Sequence, residues 1–390
     1  MAMHDKPYPY GNTVVVRIGA QEHRHWLSYD IDSDFLIPAD GFDFDLGLPD
    51  GHEVPDLSGE PCEVIINGET VLTGIIGSQL HDKGKGSRSL RLSGRDLAGL
   101  LVDCSAPQIN IKGMTVLDAA GKLTAPWPQI KQTVLRAEQN PVLDKIDIEP
   151  GETVWQTLTK LANSVGLHPW MEPGGTLVIG GADYTGEPVA TLCWSRNDRR
   201  RNIERIRTER DSDNRFSEVT FLAQSHGRSG NSARHDLKWV YTDPTMTLHK
   251  PKTVVVSDAD NLAALQKQAK KQLADWRLEG LTLTVTVGDH KTESGTLWRP
   301  GQRVHVIDEE EGIDAVYFLM GRRFSLNRAG GTTTELRLKE DGVWTPDAYP
   351  KKSEAARKRS GKKKGVTDKR KKRPQSKAAG NPNQETAVFE

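Results

Sequence analysis

Residues 281–287 read Leu-Thr-Leu-Thr-Val-Thr-Val, with apolar and hydroxylated side chains in strict alternation. Successive side chains on a strand point to opposite faces, so this run describes an antiparallel strand with one buried and one solvated face. Such a strand needs neighbours on its edges, and the sequence offers them. Val304 with Val306, Val316 to Met320, and Leu336 with Leu338 extend the sheet to about Trp344. The first hundred residues repeat the theme. Val14, Val16 and Ile18 alternate, Trp26 lies in a second short segment, and Leu90 with Leu92 precede a break at Gly94-Arg95-Asp96. The apolar run ending at Ile66, followed by Asn67-Gly68 and Val71-Leu72, predicts a two-residue hairpin, because Asn-Gly tolerates the positive φ of a type I′ turn. Strands this short are buried by a small β-barrel or a strongly bent sheet.

Between the two strand-rich regions the period changes. Leu97, Leu100 and Leu101 predict a short helix near Cys104. Thr115 to Leu123 places Val116, Ala120 and Leu123 on one helical face, and Thr153 to Val165 does the same with Val154, Leu158, Leu161 and Val165. Gly166 is placed to end the second helix in the left-handed conformation. Leu177-Val178-Ile179 supplies a strand, and Phe216 to Leu222 another. The longest predicted helix spans 258–279, with Leu262, Leu265, Ala269, Leu273 and Trp276 as its buried stripe, Ser257 as its cap and Gly280 as its stop.

The expected architecture is therefore β-rich α+β and multidomain. A first β-barrel domain covers 10–104, a small α+β domain 105–189, and a second β-barrel domain with the long helix 190–345. After Pro350 all apolar periodicity stops. Residues 351–390 hold 14 Lys and Arg against 4 Asp and Glu, a balance of +10, so a chain of zero net charge carries −10 on residues 1–350. This segment is expected to be a disordered basic tail. Three uses remain open for it: phosphate binding, docking on an acidic protein surface, or no ordered partner. It has no aromatic residue before Phe389 to stack on bases.

Several residues invite a chemical reading. His23 and His25 flank Arg24, but two histidines without a third ligand do not make a zinc site. Asp43 and Asp45 resemble an acid/base pair, yet such spacing is ordinary on solvated strands. Glu309-Glu310-Glu311-Gly312 reads as a polar turn, and Gly84-Lys85-Gly86 lacks the spacing of a phosphate loop. Cys62, Cys104 and Cys193 are odd in number and widely separated, which fits buried thiols in a reducing cytoplasm. The N-terminal residues lack an apolar signal core and no run approaches a membrane span, so neither a cleaved signal nor membrane insertion is expected. No catalytic, cofactor or metal site is expected, and the chain reads as a non-enzyme.

Ser93-Gly-Arg-Asp-Leu-Ala-Gly-Leu-Leu-Val-Asp-Cys-Ser-Ala106 resembles the segment that closes the first barrel in the Mu-type phage tail hub family, a family related to the hub part of type VI secretion spikes. Ile148-Glu-Pro-Gly-Glu-Thr-Val154, Gly166-Leu167 and Gly174-Gly-Thr-Leu-Val178 follow in the family's order. So do Gly295-Thr-Leu-Trp-Arg-Pro-Gly301, Val304-His-Val306, Gly321-Arg-Arg-Phe-Ser-Leu326 and Thr333-Thr-Glu-Leu-Arg-Leu338. The resemblance covers most of 10–345. It implies a structural baseplate hub subunit of a contractile phage tail, located in the virion baseplate and in the host cytoplasm during assembly. Three copies, each with two tube-like barrels, would form a pseudo-sixfold ring joining a central spike to the tail tube or its initiator, beside baseplate wedge proteins. DNA would meet it only in passage through the lumen, where an acidic wall would repel phosphates. The rival readings are a tail-associated cell-wall-degrading enzyme and a nucleic-acid-binding protein acting through its basic tail.

Overall fold

The computed structural model describes residues 11–48, 54–196, 201–223, 237–256, 259, 261–327 and 330–345. The basic segment 351–390 and the expected helix cap at Ser257 lie outside these residues. The chain divides into two compact units, one of residues up to Arg215 together with Lys267 onward, the other containing Phe216–Gln266.

The larger unit is built on a thirteen-stranded sheet. Its N-terminal strands are β1 (Val14–Ile18), β2 (Gln21–His23), β3 (Ser28–Asp34), β4 (Gly41–Gly47), β5 (Pro61–Ile66), β6 (Glu69–Gly84) and β7 (Ser87–Asp96). Asn67 and Gly68 take φ of 54° and 84°, as the Asn-Gly hairpin between β5 and β6 requires. An α+β segment follows: α1 (Ala98–Asp103), β8 (Ile111–Thr115), α2 (Val116–Thr124), β9 (Gln132–Arg136), β10 (Val142–Ile146), α3 (Val154–Ser164), β11 (His168–Met171) and β12 (Thr176–Gly180). Thr153 and Gln156 close a reciprocal capping box on α3, and Gly166 at φ 77° ends it. Val116, Ala120, Leu123, Val154, Leu158 and Leu161 are fully buried in one core with Leu97 and Leu101 of the α1 region.

The sheet resumes with β13 (Thr191–Trp194) and β14 (Arg205–Arg210). The smaller unit then inserts β15 (Glu218–Ala223), β16 (Leu237–Thr242) and β17 (Pro251–Val256), a three-stranded sheet in the order β16-β15-β17 with β15 and β17 parallel. Phe221 lies 5.8 Å from Trp239 within it. The boundary back to the larger unit falls inside α4 (Leu262–Glu279), after which come β18 (Leu281–Val287), β19 (Arg303–Asp308), β20 (Ile313–Asn327) and β21 (Gly331–Glu340).

Helix α4 begins at Leu262, the first residue of its expected apolar stripe, rather than at 258 behind a Ser257 cap. Asn261 caps it by accepting the Ala264 N–H at 2.9 Å. Its buried residues are Leu265, Ala269, Lys271, Ala274 and Leu278, whereas Leu262 is exposed and Leu273 and Trp276 are half-buried. The stripe is rotated because two alanines allow close packing and Lys271 enters it with its ammonium group neutralised by Asp275 one turn on.

The sheet contains a duplication. β3-β4-β7-β6-β5 and β14-β18-β21-β20-β19 are each ordered and paired antiparallel in the same way. In both, the long strand pairs its first half with β5 or β19, and in both it carries a bulge at the same place: Gly77 between Ile76 and Ser78, Met320 between Leu319 and Gly321. Aligning the bulges brings every other pair into register. Pro61 opposite Ile75 matches Arg303 opposite Phe318, and Phe42 opposite Gly94 matches Leu283 opposite Leu338. The two strand-rich segments, read from sequence as separate barrels, are thus two copies of one module. They are joined directly where β20 pairs with β3, and the pairing path among the described residues is open, running from β14 to β2.

Candidate functional site

The central eight strands, β14-β18-β21-β20-β3-β4-β7-β6, bury one face and present the other to solvent. Ile31, Phe42, Phe44, Leu92, Val285, Leu336 and Phe324 fill the buried face. Strand register puts Asp30, Asp32, Asp43, Asp45, Asp82, Glu209 and Glu335 on the opposite face with Arg91, Arg205, Arg207, Arg323 and Arg337. Three hydroxyls, Thr282, Thr284 and Thr286, complete it on β18. This is a broad polar surface in which acids face bases.

Its centre is the joint between the modules. Arg323 donates through Nε to both Asp30 oxygens at 2.7 Å, and Ser325 adds 3.1 Å to one of them. Arg337 reaches from β21 across β20 to β3, donating to Asp34 at 2.8 Å and Asp32 at 2.6 Å. It passes over Gly321, where a Cβ would collide with the Asp34 carboxylate and with the guanidinium itself. These two carboxylates hold the charged form of Arg337 against its burial.

Beneath the joint lies a buried polar cluster. The Arg322 guanidinium donates to the Ile31 carbonyl at 2.9 Å and sits 4.1 Å over the Phe324 ring, and burial brings its pKa down to about 10. Asp40 accepts the Asp34 N–H at 2.9 Å, and its own carbonyl accepts the Asp96 N–H at 2.8 Å. Burial raises the Asp40 carboxyl to about 7, even with Arg322 nearby. Burial, followed by the charge of Asp40, pushes Asp96 well above the carboxylate range. His290 is fully buried and spans the modules. Thr334 donates to the Asp289 carbonyl, so its oxygen accepts from His290 Nδ1–H at 2.9 Å and Nε2 accepts the Tyr29 hydroxyl at 2.9 Å. Burial, then Arg322, holds this imidazole at about 3, so it stays neutral.

The residues nominated by sequence are dispersed. His23 ends β2, half-buried and depressed by that burial, while His25 is exposed beyond the strand. Asp43 and Asp45 do share a strand face, but Arg91 donates to Asp43 at 2.9 Å and Ser28 to Asp45 at 2.9 Å. Glu309 to Glu311 form the turn between β19 and β20, where Asp308 accepts the Glu310 and Glu311 N–H groups and the Glu309 N–H donates to the Trp194 carbonyl. Lys85 and Gly86 form the turn between β6 and β7. All three cysteines are free thiols, and burial raises Cys62 to about 12. Among the described residues no three His, Cys, Asp or Glu side chains gather as a metal-binding group, and no helix is long and apolar enough to cross a membrane. Sequence reasoning missed Asp40, Asp96, Arg322 and His290. Nothing local distinguishes them from surface residues, since their burial arises from pairing across 200 residues or more of chain or from the loop packed beneath it.

Comparison with known proteins gives a consistent set of likenesses. Residues 13–96 match the family described as Mu phage baseplate assembly protein GpP-like, N-terminal, and residues 98–181 the second domain of baseplate hub protein gp44-like. Residues 215–273 match a tail protein third domain and 275–343 a tail protein C-terminal domain. The baseplate hub protein gp44 of Escherichia phage Mu is 22% identical over 338 residues, covering 84% of this chain and 87% of that protein. The crystal structure of a tail protein from Neisseria meningitidis is 75% identical, with a TM-score of 0.81 over 87% of this chain and all of that one. A 43 kDa tail protein of prophage MuSo2 from Shewanella oneidensis shares the fold at a TM-score of 0.74 and 22% identity, covering 86% of this chain and 99% of its own.

Proposed function

We propose that this chain, which belongs to the Mu-like phage baseplate hub family, acts as one third of a ring that adapts a threefold spike to a sixfold tail tube. The observation that carries the reading is the duplicated module: two register-matched copies in one chain let three chains supply six similar positions. In this reading the chain divides as 10–104, 105–189 and 190–345, with 351–390 as a basic tail that reaches an acidic neighbour such as the spike or a wedge protein.

The polar face of the central sheet lines the DNA channel. Its guanidinium groups are opposed by carboxylates, as Arg323 is by Asp30 and Arg91 by Asp43, so it offers passing phosphates no continuous cationic track. The chain acts as a structural part, with its buried titratable groups stabilising the joint between modules rather than performing chemistry. The test is genetic and visual. Particles produced without this protein should lack completed baseplates and tubes when imaged, and the wild-type chain supplied in trans should restore them. Intact, infectious tails formed in its absence would remove the hub role. Normal infectivity after deletion of 351–390 would remove any essential role for the tail.

A further inference from the structure

We propose that a second copy of this chain pairs its β14 with the open half of β6, in the register that β3 uses on β20 within one chain; this rests on the ring reading and names the surface that builds the ring. The long strand of each module has two halves. In the second module the half before the bulge pairs with β19, and the half after it, Gly321 to Leu326, pairs with β3 of the first module. In the first module the half before the bulge pairs with β5. Among the described residues, the half after it pairs on one edge only, with β7. β14, the counterpart of β3, likewise pairs among the described residues with β18 alone. Among the described residues the chain thus makes one of two equivalent joints and leaves both edges of the other without a strand partner.

The equivalence fixes the partners. Arg323, Phe324, Ser325 and Leu326 face Asp32, Ile31, Asp30 and Tyr29 in the internal joint. Matched through the bulges, Leu80, His81, Asp82 and Lys83 face Glu209, Thr208, Arg207 and Ile206 of the next copy. Asp82 therefore meets Arg207, both exposed here, with the charge arrangement of the internal Arg323–Asp30 contact reversed between the strands. Leu80 is 60% exposed on an otherwise polar face, and the stems of the neighbour's Arg207 and Glu209 would cover it. Two unpaired edges of complementary charge and matched register also explain why neither is blunted by proline or a bulge at these positions. A head-to-tail joint of this kind repeats from copy to copy and closes when the rotation permits.

The test uses the full chain. Asp82→Cys with Arg207→Cys places two thiols on directly opposed residues, within disulfide reach. Mild oxidation should link chains covalently into dimers and closed oligomers, whereas either single variant should not. Ser78→Cys with Arg207→Cys lies four residues out of register and should link poorly. Asp82→Arg or Arg207→Asp should weaken association at least about tenfold, and the double reversal should restore it. Circular dichroism of each variant reports whether it is folded, and these exposed positions are expected to leave it so. Equal linking in and out of register, or no linking in a protein that still assembles, overturns this interface and leaves the ring reading standing. A wild-type chain that stays monomeric with its tail partners present overturns both.

Discussion

The two modules share hydrogen bonds but almost no side chains, and the contrast shows what the fold requires. β4 carries Phe42-Asp-Phe-Asp-Leu46 where β18 carries Leu283-Thr-Val-Thr-Val287. Both alternate, and both bury the same side. The volume is redistributed within each pair. Phe42 lies over Gly94 in the first module, and its counterpart is Leu283 beside Leu338 in the second. At the joint the same positions diverge again. Gly321 and Arg337 send a guanidinium across to β3, whereas their counterparts Ser78 and Ser93 share a 2.8 Å hydroxyl contact beside an open edge. The loop joining β3 to β4 is six residues, 35–40, while residues 211–280 separate β14 from β18. A sheet module tolerates exchanged core side chains and a long insertion in one hairpin, provided that alternation, the bulge and the total core volume are kept.

Core truncation strains the comparison hardest. Phe42→Ala should cost about 4 kcal/mol, and Leu283→Ala about 3 kcal/mol, through cavities left in one shared core. Chemical denaturation should give a single transition of the larger unit in each case. Two separate transitions would show that the modules unfold independently. Gly94→Ala works in the opposite direction, since a Cβ there overlaps the Ile75 carbonyl and the Phe42 ring. A loss of about 3 kcal/mol is expected, only partly recovered by adding Phe42→Leu, because the backbone overlap remains. No loss at Gly94 would mean the modules pack alike.

The joint comes next. Arg337→Ala leaves Asp34, whose side chain is 9% exposed, without its cation, and should cost about 2 kcal/mol, while Ser93→Ala at the equivalent position should cost under about 0.5 kcal/mol. Equal effects would deny the joint its special role. The pH dependence sharpens the same point. Asp40 holds its proton to about 7 when folded and to its ordinary acidic value when unfolded, so its contribution to stability is greatest at low pH and fades as pH rises from about 4 to 7. Asp40→Asn should flatten that decline in thermal melts. His290 works the other way: its depressed value means stability is lost as pH falls from about 6.5 toward 3. A melt series that does not change with Asp40→Asn would contradict the buried-proton account. Smallest of all, Arg91→Ala removes an exposed pair with Asp43 and should cost at most about 0.5 kcal/mol.

Much of the fold is legible in sequence because it rests on local signals. The Leu281–Val287 alternation, Asn67-Gly68 and Thr153 with Gly166 each specify their own element. The duplication is not legible, because register is set by pairing between strands far apart in the chain, as where Arg323 meets Asp30 across 293 residues, and identical residues are not needed to repeat it. Helix α4 misled for a related reason. Its apolar residues outnumber its buried positions, and Lys271 occupies one of them with Asp275 as partner. The buried cluster of Asp40, Asp96 and Arg322 is invisible for the same cause, since charged residues enter a core only where tertiary partners supply hydrogen bonds.

The proposed hub role is tested most directly by the solution mass of the full-length protein, measured by light scattering with and without a candidate spike protein and imaged from the same peak. Three copies of the 43.2 kDa chain, about 130 kDa, in rings with a central hole is the expected result. A compact 43.2 kDa monomer at every concentration, unchanged when the spike is added, would contradict it.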